Sequence, residues 1–112
     1  MDCLFCNFEK FNLICENQHS YAIWDKYPVT DLHALIITKS HYDTVFELPA
    51  FELEGIFDLA KQCRDLIMQQ DKSVAGFNFG SNAGSVAGQK IGHMHFHLIP
   101  RRQDDIEPPM AK

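Results

Sequence analysis

Apolar and polar positions alternate with two different periods along the chain, and these periods predict five strands and one main helix. Short apolar runs bounded by turn residues indicate strands, because successive strand side chains point to opposite faces. After Pro49 the apolar residues recur every three to four positions, which is typical of an amphipathic helix ending near Gln70. The predicted strands are 13–16, 21–24, 33–38, 77–81 and the run around 93–98, with turns or loops at 17–20, 25–30, 71–75 and 82–90.

The order of these elements predicts an α+β domain. Short connections join most of the strands, so we expect a five-stranded, mainly antiparallel sheet with one main helix. The 112 residues suit a single domain, 1–112, because the chain has no internal repeat, low-complexity tract or interdomain linker. The helix residues predicted to face the core are Leu53, Ile56, Phe57, Leu59, Ala60, Cys63, Leu66 and Ile67.

Composition and charge narrow the class of protein. Hydrophobic residues make up 46% of the chain and charged residues 22%, as in a globular protein that is soluble in water. The formal net charge of −5 argues against nonspecific nucleic-acid binding, which needs a broad basic surface, but permits a small anion in a local pocket. The chain has no run of membrane-spanning length, and its N-terminus lacks a basic region and an apolar core. We therefore expect a cytoplasmic protein with no nucleic-acid or membrane partner.

The most informative segment reads His-Met-His-Phe-His at residues 93–97. On a strand, His93, His95 and His97 share one face, while the residues between them point into a core. Adjacent imidazoles then lie about 7 Å apart and the outer two about 13 Å apart, so one metal ion can join two neighbours but not all three. We expect some of these histidines to hold a metal or orient a neighbour, and at least one to do chemistry. A histidine strand without function is the alternative, and strict alternation of three imidazoles disfavours it.

The loop that precedes the histidines is a candidate phosphate cradle. Gly84 and Gly88 let backbone N–H groups approach a ligand closely, and Asn82 and Gln89 add amide donors. Taken alone, the glycines are equally consistent with an ordinary turn that binds no ligand. The position of the loop, directly before three histidines, favours contact with a ligand.

Two cysteines near the N-terminus form a candidate metal site. Cys3 and Cys6 have the spacing of half a tetrahedral zinc site. Thiols stay reduced in the cytosol, so these two more naturally bind metal or stay free than form a disulfide. The chain has no second such pair, so His41 and His93 are the candidates for the remaining ligands. Two small apolar side chains near a terminus are the alternative.

Two further residues are candidates for the same site. Asp25 follows an apolar strand end, where its carboxylate can accept two hydrogen bonds from a diol. A turn or helix-cap aspartate is an equally good interpretation of the sequence alone. His33 opens the third predicted strand, and spacing does not decide whether it lies beside the three histidines.

Together these motifs resemble the histidine triad (HIT) superfamily of nucleotide hydrolases and transferases over nearly the whole chain. Residues 87–101 are similar to the family's Gly-Gln-x-x-x-His-x-His-x-His segment. Residues 3–6, Asp25 and residues 33–41 fall where the family has its N-terminal motif, its ribose-binding acid and its central strand. The resemblance implies hydrolysis at the α-phosphate of purine nucleoside phosphoramidates or dinucleoside polyphosphates, through a covalent nucleotidyl-histidine intermediate. It also implies a homodimer formed through the helix and a neighbouring strand.

The resemblance implies a role for each candidate residue. His95 would be the nucleophile, which suits a neutral imidazole at cytosolic pH. His97 would contact the phosphate and help to protonate the leaving group, His33 would support the site, and no catalytic metal would be needed. A histidine at position 97 resembles the hydrolase branches, since the related transferases carry glutamine there. The implied nucleotide-binding residues are Leu4, Phe5 and Ile23 around the base, Asp25 at the ribose, and Asn82, Gln89 and Lys90 at the phosphates.

Zinc-bearing relatives imply a structural zinc bound by Cys3, Cys6, His41 and His93. The chain departs from the family at Lys90, where relatives usually have serine or threonine; the lysine either binds a longer polyphosphate or points into solvent. The competing function is a zinc-stabilised nucleotide-binding or interaction module with little or no catalysis, and the complete triad counts against it. A metalloenzyme with triad histidines as catalytic ligands is a third reading, which leaves the loop and Asp25 without a role.

Overall fold

Five strands and one long helix follow one another in the computed structural model, which describes residues 3–105. The elements are β1 (Cys15–Glu16), β2 (Ser20–Trp24), β3 (Ala34–Thr38), α1 (Ala50–Gln70), β4 (Val74–Gly80) and β5 (His95–Arg102). Every neighbouring pair of strands is antiparallel, in the order β1-β2-β3-β5-β4. The predicted α+β fold with a five-stranded antiparallel sheet is confirmed; positions 1–2 and 106–112 of the predicted domain lie outside the described residues.

The core lies between α1 and one face of the sheet. Side chains of Ile36 and Phe96 from the strands pack with Ile56 and Cys63 from the helix. A second, smaller apolar cluster covers the opposite face, where Phe5 from the N-terminal segment packs with strand residues. β3 is therefore buried along its whole length, and this explains why residues 34–37 are apolar without alternation.

The start of β4 differs from the prediction. The strand begins at Val74, inside the segment 71–75 that we expected to be a turn. A register shift between Val74 and Gly76 marks a bulge or irregularity in the pairing with β5. Such a shift breaks the two-residue alternation that identifies a strand in the sequence, so the prediction began three residues late.

The helix buries a narrower face than its apolar pattern predicts. Leu59 and Ile67 are fully buried, but Leu53, Phe57 and Leu66 are 47%, 54% and 37% exposed. Their predicted place in the core is wrong, because the sheet covers only part of the apolar face of α1. Within residues 3–105, no helix is both long and apolar enough to cross a bilayer.

Candidate functional site

The register of the sheet brings together His33, His95 and His97, the three histidines for which the sequence predicts a catalytic role. β5 lies between β3 and β4, and its pairing with β3 sets His95 opposite Ile37 and His97 opposite Leu35. His33 comes directly before β3, so the antiparallel pairing carries it to His97. The His33 Nε2 atom lies 3.0 Å from the His97 Nδ1 atom.

A cavity of about 640 Å³ opens over these histidines. The predicted site residues that line it are Phe5, Asp25, His33, Asn82, Lys90, His95 and His97. Leu4, Ile23 and Gln89 do not line it: Leu4 is exposed, and Ile23 is buried in the second apolar cluster. Besides its histidines, the cavity has one acidic and one basic side chain among the described lining residues, Asp25 and Lys90.

The cavity is also lined by Gly88, from the predicted phosphate cradle, and by five residues that sequence reasoning missed. These five are Tyr27, Val29, Leu35, Ile91 and Ile99. Ile99 continues the alternation of His95 and His97 along β5, so extending that pattern by two residues would have found it. The remaining four are of types common in ordinary loops and cores, so nothing in the sequence singled them out.

Gln89 braces the 82–90 loop from inside. Its Oε1 accepts from the Gly84 N–H at 2.7 Å, and its Nε2 donates to the Asp43 and Ile91 carbonyls at 2.7 and 2.9 Å. Gly88 has a φ of +101°, and a Cβ there would lie 3.3 Å from the Asn82 Nδ2. The loop is therefore held in one shape with Asn82 facing the cavity.

A backbone carbonyl sets the tautomer of His95. The His95 Nδ1 lies 2.9 Å from the His93 carbonyl oxygen, which only accepts, so Nδ1 carries the proton. The other ring nitrogen, Nε2, then has its lone pair available. The ring is 7% exposed and meets the edge of Phe5 at a centroid distance of 5.2 Å. His95 is thus held in one orientation and one tautomer where it lines the cavity.

A backbone amide sets the tautomers of the His33–His97 pair. The Val29 N–H donates to His33 Nδ1 at 3.0 Å, so the proton of a neutral His33 is on Nε2. That Nε2–H donates to His97 Nδ1, which leaves His97 with its own proton on Nε2. Burial lowers the pKa of His33, and burial with the neighbouring His95 and His33 lowers the pKa of His97 to about 4. Both rings are neutral at neutral pH, and His97 is a hydrogen-bond donor through Nε2.

Asp25 lies against this pair. Its Oδ1 accepts from the Tyr27 N–H at 2.9 Å, and its Oδ2 lies 3.4 Å from His33 Nε2. Asp25, His33 and His97 bring their donor atoms within 4.8 Å of one another, as a metal site also requires. The Val29 N–H argues against a metal here, because it places the His33 proton on the nitrogen that would have to bind the ion. We therefore interpret the cluster as a hydrogen-bonded one.

The four residues predicted to bind zinc also come together. The distances are 3.2 Å from Cys3 Sγ to His93 Nδ1, 3.4 Å from Cys6 Sγ to His41 Nδ1 and 3.5 Å from Cys6 Sγ to His93 Nδ1. Zinc–ligand bonds of about 2.0 to 2.3 Å place neighbouring donors roughly 3.3 to 3.8 Å apart in a tetrahedral site. All four described cysteines of the chain are free thiols. This group of donors can hold a metal ion.

Hydrogen bonds from the Nε2 atoms of His41 and His93 orient both rings so that their Nδ1 atoms face the thiols. The His93 Nε2–H donates to the Thr38 carbonyl at 2.8 Å, and the His41 Nε2–H donates to Asp43 at 2.9 Å. Each Nδ1 lone pair is then free for an ion, the arrangement expected of metal-binding histidines.

The thiols titrate as a pair. Burial alone raises the pKa of Cys3, but hydrogen bonds with Cys6 and His41 lower it overall. Burial and the neighbouring Cys3 raise the pKa of Cys6 to about 11. One thiolate therefore forms readily and the second does not, since the two negative charges repel. A bound divalent cation would remove that repulsion.

The chain is similar to known proteins over most of its length. The chain matches the model of the HIT domain over residues 9–104. It is 35% identical over 103 residues to an uncharacterised HIT-like protein of Mycoplasma genitalium, covering 88% of this chain and 72% of that protein. It is 35% identical over 107 residues to adenosine 5'-monophosphoramidase of Saccharomyces cerevisiae, covering 91% of this chain and 64% of that protein. A Zn-bound histidine triad family protein of Mycobacterium smegmatis superposes with a TM-score of 0.83 at 28% identity, over 94% of this chain and 78% of that one.

Proposed function

The chain belongs to the HIT domain family, and from that premise we propose that it is a nucleotidyl hydrolase. Its substrates are purine nucleoside phosphoramidates or dinucleoside polyphosphates, cleaved at the α-phosphate through a covalent nucleotidyl-histidine intermediate. The observation that carries the proposal is the 2.9 Å hydrogen bond from His95 Nδ1 to the His93 carbonyl. That bond leaves a nucleophilic Nε2 in a cavity large enough for a nucleotide. Similarity to an adenosine 5'-monophosphoramidase supports the choice of substrate class.

The reaction takes two steps on the α-phosphorus. His95 Nε2 forms a bond to phosphorus while the bond from phosphorus to the leaving group breaks. The electron pair of that bond goes to the leaving group, which takes a proton from His97. Water then attacks phosphorus and returns its proton to His97, and the bonding pair returns to His95 Nε2. The products are a nucleoside monophosphate and the protonated leaving group.

The remaining lining residues bind the nucleotide. Asp25 holds the ribose hydroxyls, and Phe5 contacts the base while Ile23 packs with it in the second apolar cluster; Leu4 is exposed and lies outside the cavity lining. Asn82 binds phosphate oxygens. Gln89 acts in this site by holding the 82–90 loop.

Lys90 favours a polyphosphate leaving group. It is the one cation among the described cavity-lining residues, at the position where the family usually carries serine or threonine. The positive charge of Lys90 attracts the negative phosphate chain of a dinucleoside polyphosphate, but it does not attract a neutral amine leaving group. The choice between the two leaving groups rests on measurement.

We also propose a structural zinc ion held by Cys3, Cys6, His41 and His93, and no catalytic metal. The donor set fits zinc in type, number and spacing. When bound, the ion would supply a cross-link between the N-terminal segment, the turn after β3 and the segment that leads into β5. A cytoplasmic location, where the thiols stay reduced, suits this site.

Release of a fluorescent amine from an adenosine phosphoramidate, with no divalent metal added, tests the function. We expect turnover with this substrate, with a diadenosine polyphosphate, or with both, and the ratio of the two kcat/KM values assigns the leaving group. Absence of turnover on both substrates would contradict the proposal and favour the nucleotide-binding module.

The exposed apolar face between α1 and β4 supports the proposed homodimer. A groove there is lined by Ala50, Leu53, Glu54, Ile56, Phe57 and Phe79, and is almost entirely apolar. Among the described strands, β4 lies at the edge of the sheet and pairs only with β5. A second copy placed on this face would bury the apolar side chains of α1 that the sheet leaves exposed.

Phe57→Ser should convert the dimer to a monomer. Each dimer buries two copies of this side chain, at about 1.5 to 3 kcal/mol each, so we expect the dissociation constant to rise roughly 100-fold or more. Light scattering after size-exclusion chromatography measures the mass. Phe46→Ser is the matched control, because Phe46 is 86% exposed and lies outside the groove. A wild-type monomer, or a Phe57→Ser dimer of unchanged affinity, would refute this interface.

A further inference from the structure

Asp25 makes two contacts that holding a ribose does not require. Its Oδ1 accepts from the Tyr27 N–H, which fixes the carboxylate, and its Oδ2 lies 3.4 Å from His33 Nε2. The Asp25 side chain is 15% exposed and that of His33 2%, so little water screens the negative charge from the ring. The Nε2–H of His33 therefore faces two acceptors, His97 Nδ1 at 3.0 Å and Asp25 Oδ2.

This second acceptor matters when the His33–His97 pair takes up a proton. Protonated His97 carries a hydrogen on Nδ1, where it otherwise accepts from His33. The His33 Nε2–H must then find another acceptor, and Asp25 Oδ2 is the adjacent one. The Val29 N–H keeps the other His33 nitrogen unprotonated, so His33 cannot simply exchange its tautomer.

The charges around His97 single out Asp25. The ionisable groups facing it are His33 before β3, Asp25 after β2, His95 on β5 and Lys90 on the cavity wall, while β4 contributes only Gly80 opposite it. His33 and His95, when charged, lower the pKa of His97, and the negative charge of Asp25 raises it. Asp25 is thus the one anion among these described neighbours.

We propose that Asp25 positions and stabilises the proton that the His33–His97 pair delivers to the leaving group, in addition to holding the ribose. This inference rests on the proposed function. The first step starts from the pair that has taken up a proton, with a hydrogen on both ring nitrogens of His97, and the Nε2–H gives its proton to the departing amine as the bond from phosphorus to nitrogen breaks. His97 is then left with a hydrogen on Nδ1 and a free Nε2, the form that accepts a proton from the attacking water. Asp25 is needed in both forms, because His97 Nδ1 is protonated in each.

Substrates that remove one role at a time provide the test. The first is a 2',3'-dideoxyadenosine phosphoramidate, which lacks the ribose hydroxyls but has an amine that must be protonated to leave. The second is the p-nitrophenyl phosphodiester of the same dideoxynucleoside, whose nitrophenolate leaves as an anion. Asp25→Asn keeps an acceptor for the Tyr27 N–H, removes the charge and replaces the oxygen that faces His33 Nε2 with an NH2 donor.

For Asp25→Asn we expect a loss of kcat/KM at least about tenfold larger with the amine than with the nitrophenolate. The variant should also lose activity toward the amine at lower pH than wild type does. Activity is lost at lower pH because removing the anion lowers the pKa of the His33–His97 pair. At a pH above that pKa, each unit by which the pKa falls reduces the protonated fraction of the pair tenfold. Asp25→Glu, which restores the charge, should recover part of both effects. If Asp25→Asn does not fold, the charge-differing pair Asp25→Glu and Asp25→Gln makes the same comparison.

The outcomes separate the two proposals. Equal losses with both leaving groups, or an unchanged pH profile, would overturn the role proposed for Asp25 while leaving the hydrolase intact. A defect seen only with intact ribose would assign Asp25 to sugar binding alone and would equally overturn it. Absence of wild-type turnover on every substrate would overturn the proposed function and this inference with it.

Discussion

Replacing His95 with alanine should reduce turnover of an adenosine phosphoramidate by roughly 10⁴-fold or more, since loss of a covalent nucleophile has effects of this order or larger in other enzymes. The reason is specific to this ring: its Nε2 is the atom that the hydrogen bond to the His93 carbonyl leaves free. No other described histidine in the cavity presents an unprotonated nitrogen in the same way, because His97 uses Nδ1 to accept from His33 and carries its proton on Nε2. Single-turnover kinetics with the fluorescent substrate measures the loss.

Nucleotide binding should survive this substitution. The cavity keeps Asp25, Asn82 and Lys90, so calorimetry with adenosine monophosphate should give a dissociation constant within about tenfold of that of wild type. His19→Ala is the matched control, because His19 lies in the hairpin between β1 and β2, contacts Phe51 and does not line the cavity. Retention of activity by His95→Ala would remove the nucleophile assignment.

Cys3→Ser should lower the thermal unfolding midpoint by about 10 °C or more in protein purified with its zinc. The proposed ion joins segments far apart in sequence: Cys3 and His93, whose side chains meet at 3.2 Å, are 90 positions apart. Losing one ligand weakens that cross-link and frees the N-terminal segment that brings Phe5 into the second cluster. At saturating substrate, kcat should change much less than stability, because Cys3 does not line the cavity and Phe5, which does, contacts the base and not the reacting phosphorus. Scanning calorimetry and elemental analysis measure the two effects.

Cys15→Ser is the matched control for the zinc site. Cys15 is half-buried like Cys3, but its Sγ faces Cys63 at 3.4 Å and lies outside the group of candidate metal ligands. It should retain the full zinc content and most of the thermal stability. If elemental analysis finds no zinc in freshly purified wild-type protein, the proposed zinc site is refuted.

The alternation of apolar residues with histidines around β5 was enough to predict much of the site. Met94, Phe96 and Leu98 enter the core as predicted, which requires the residues between them to face away from it. What a local pattern cannot supply is the partner across the sheet. His33 meets His97 only because β3 and β5 pair in one register, and no feature of residues 33–38 alone encodes that register.

Gln89 and the bulge in β4 show two further limits of reading the sequence. An amide side chain in a loop suits a phosphate oxygen and a backbone carbonyl equally well. Only the positions of the Asp43 and Ile91 carbonyls show where the Gln89 hydrogens go. In β4 the irregular pairing removes the periodic signal itself, so the first residues of the strand look like a turn.

The tautomers of the three buried histidines are set by main-chain atoms: the Val29 N–H for His33, the Thr38 carbonyl for His93 and the His93 carbonyl for His95. Main-chain atoms are the same in every amino acid except for the N–H that proline lacks. The side chain at position 29 can therefore drift through evolution without disturbing the protonation of the site, provided that proline never appears there. An alanine substitution at position 29 keeps the N–H and would not reveal its contribution to the His33 tautomer. Substitution by proline, or replacement of the amide by an ester, would reveal it.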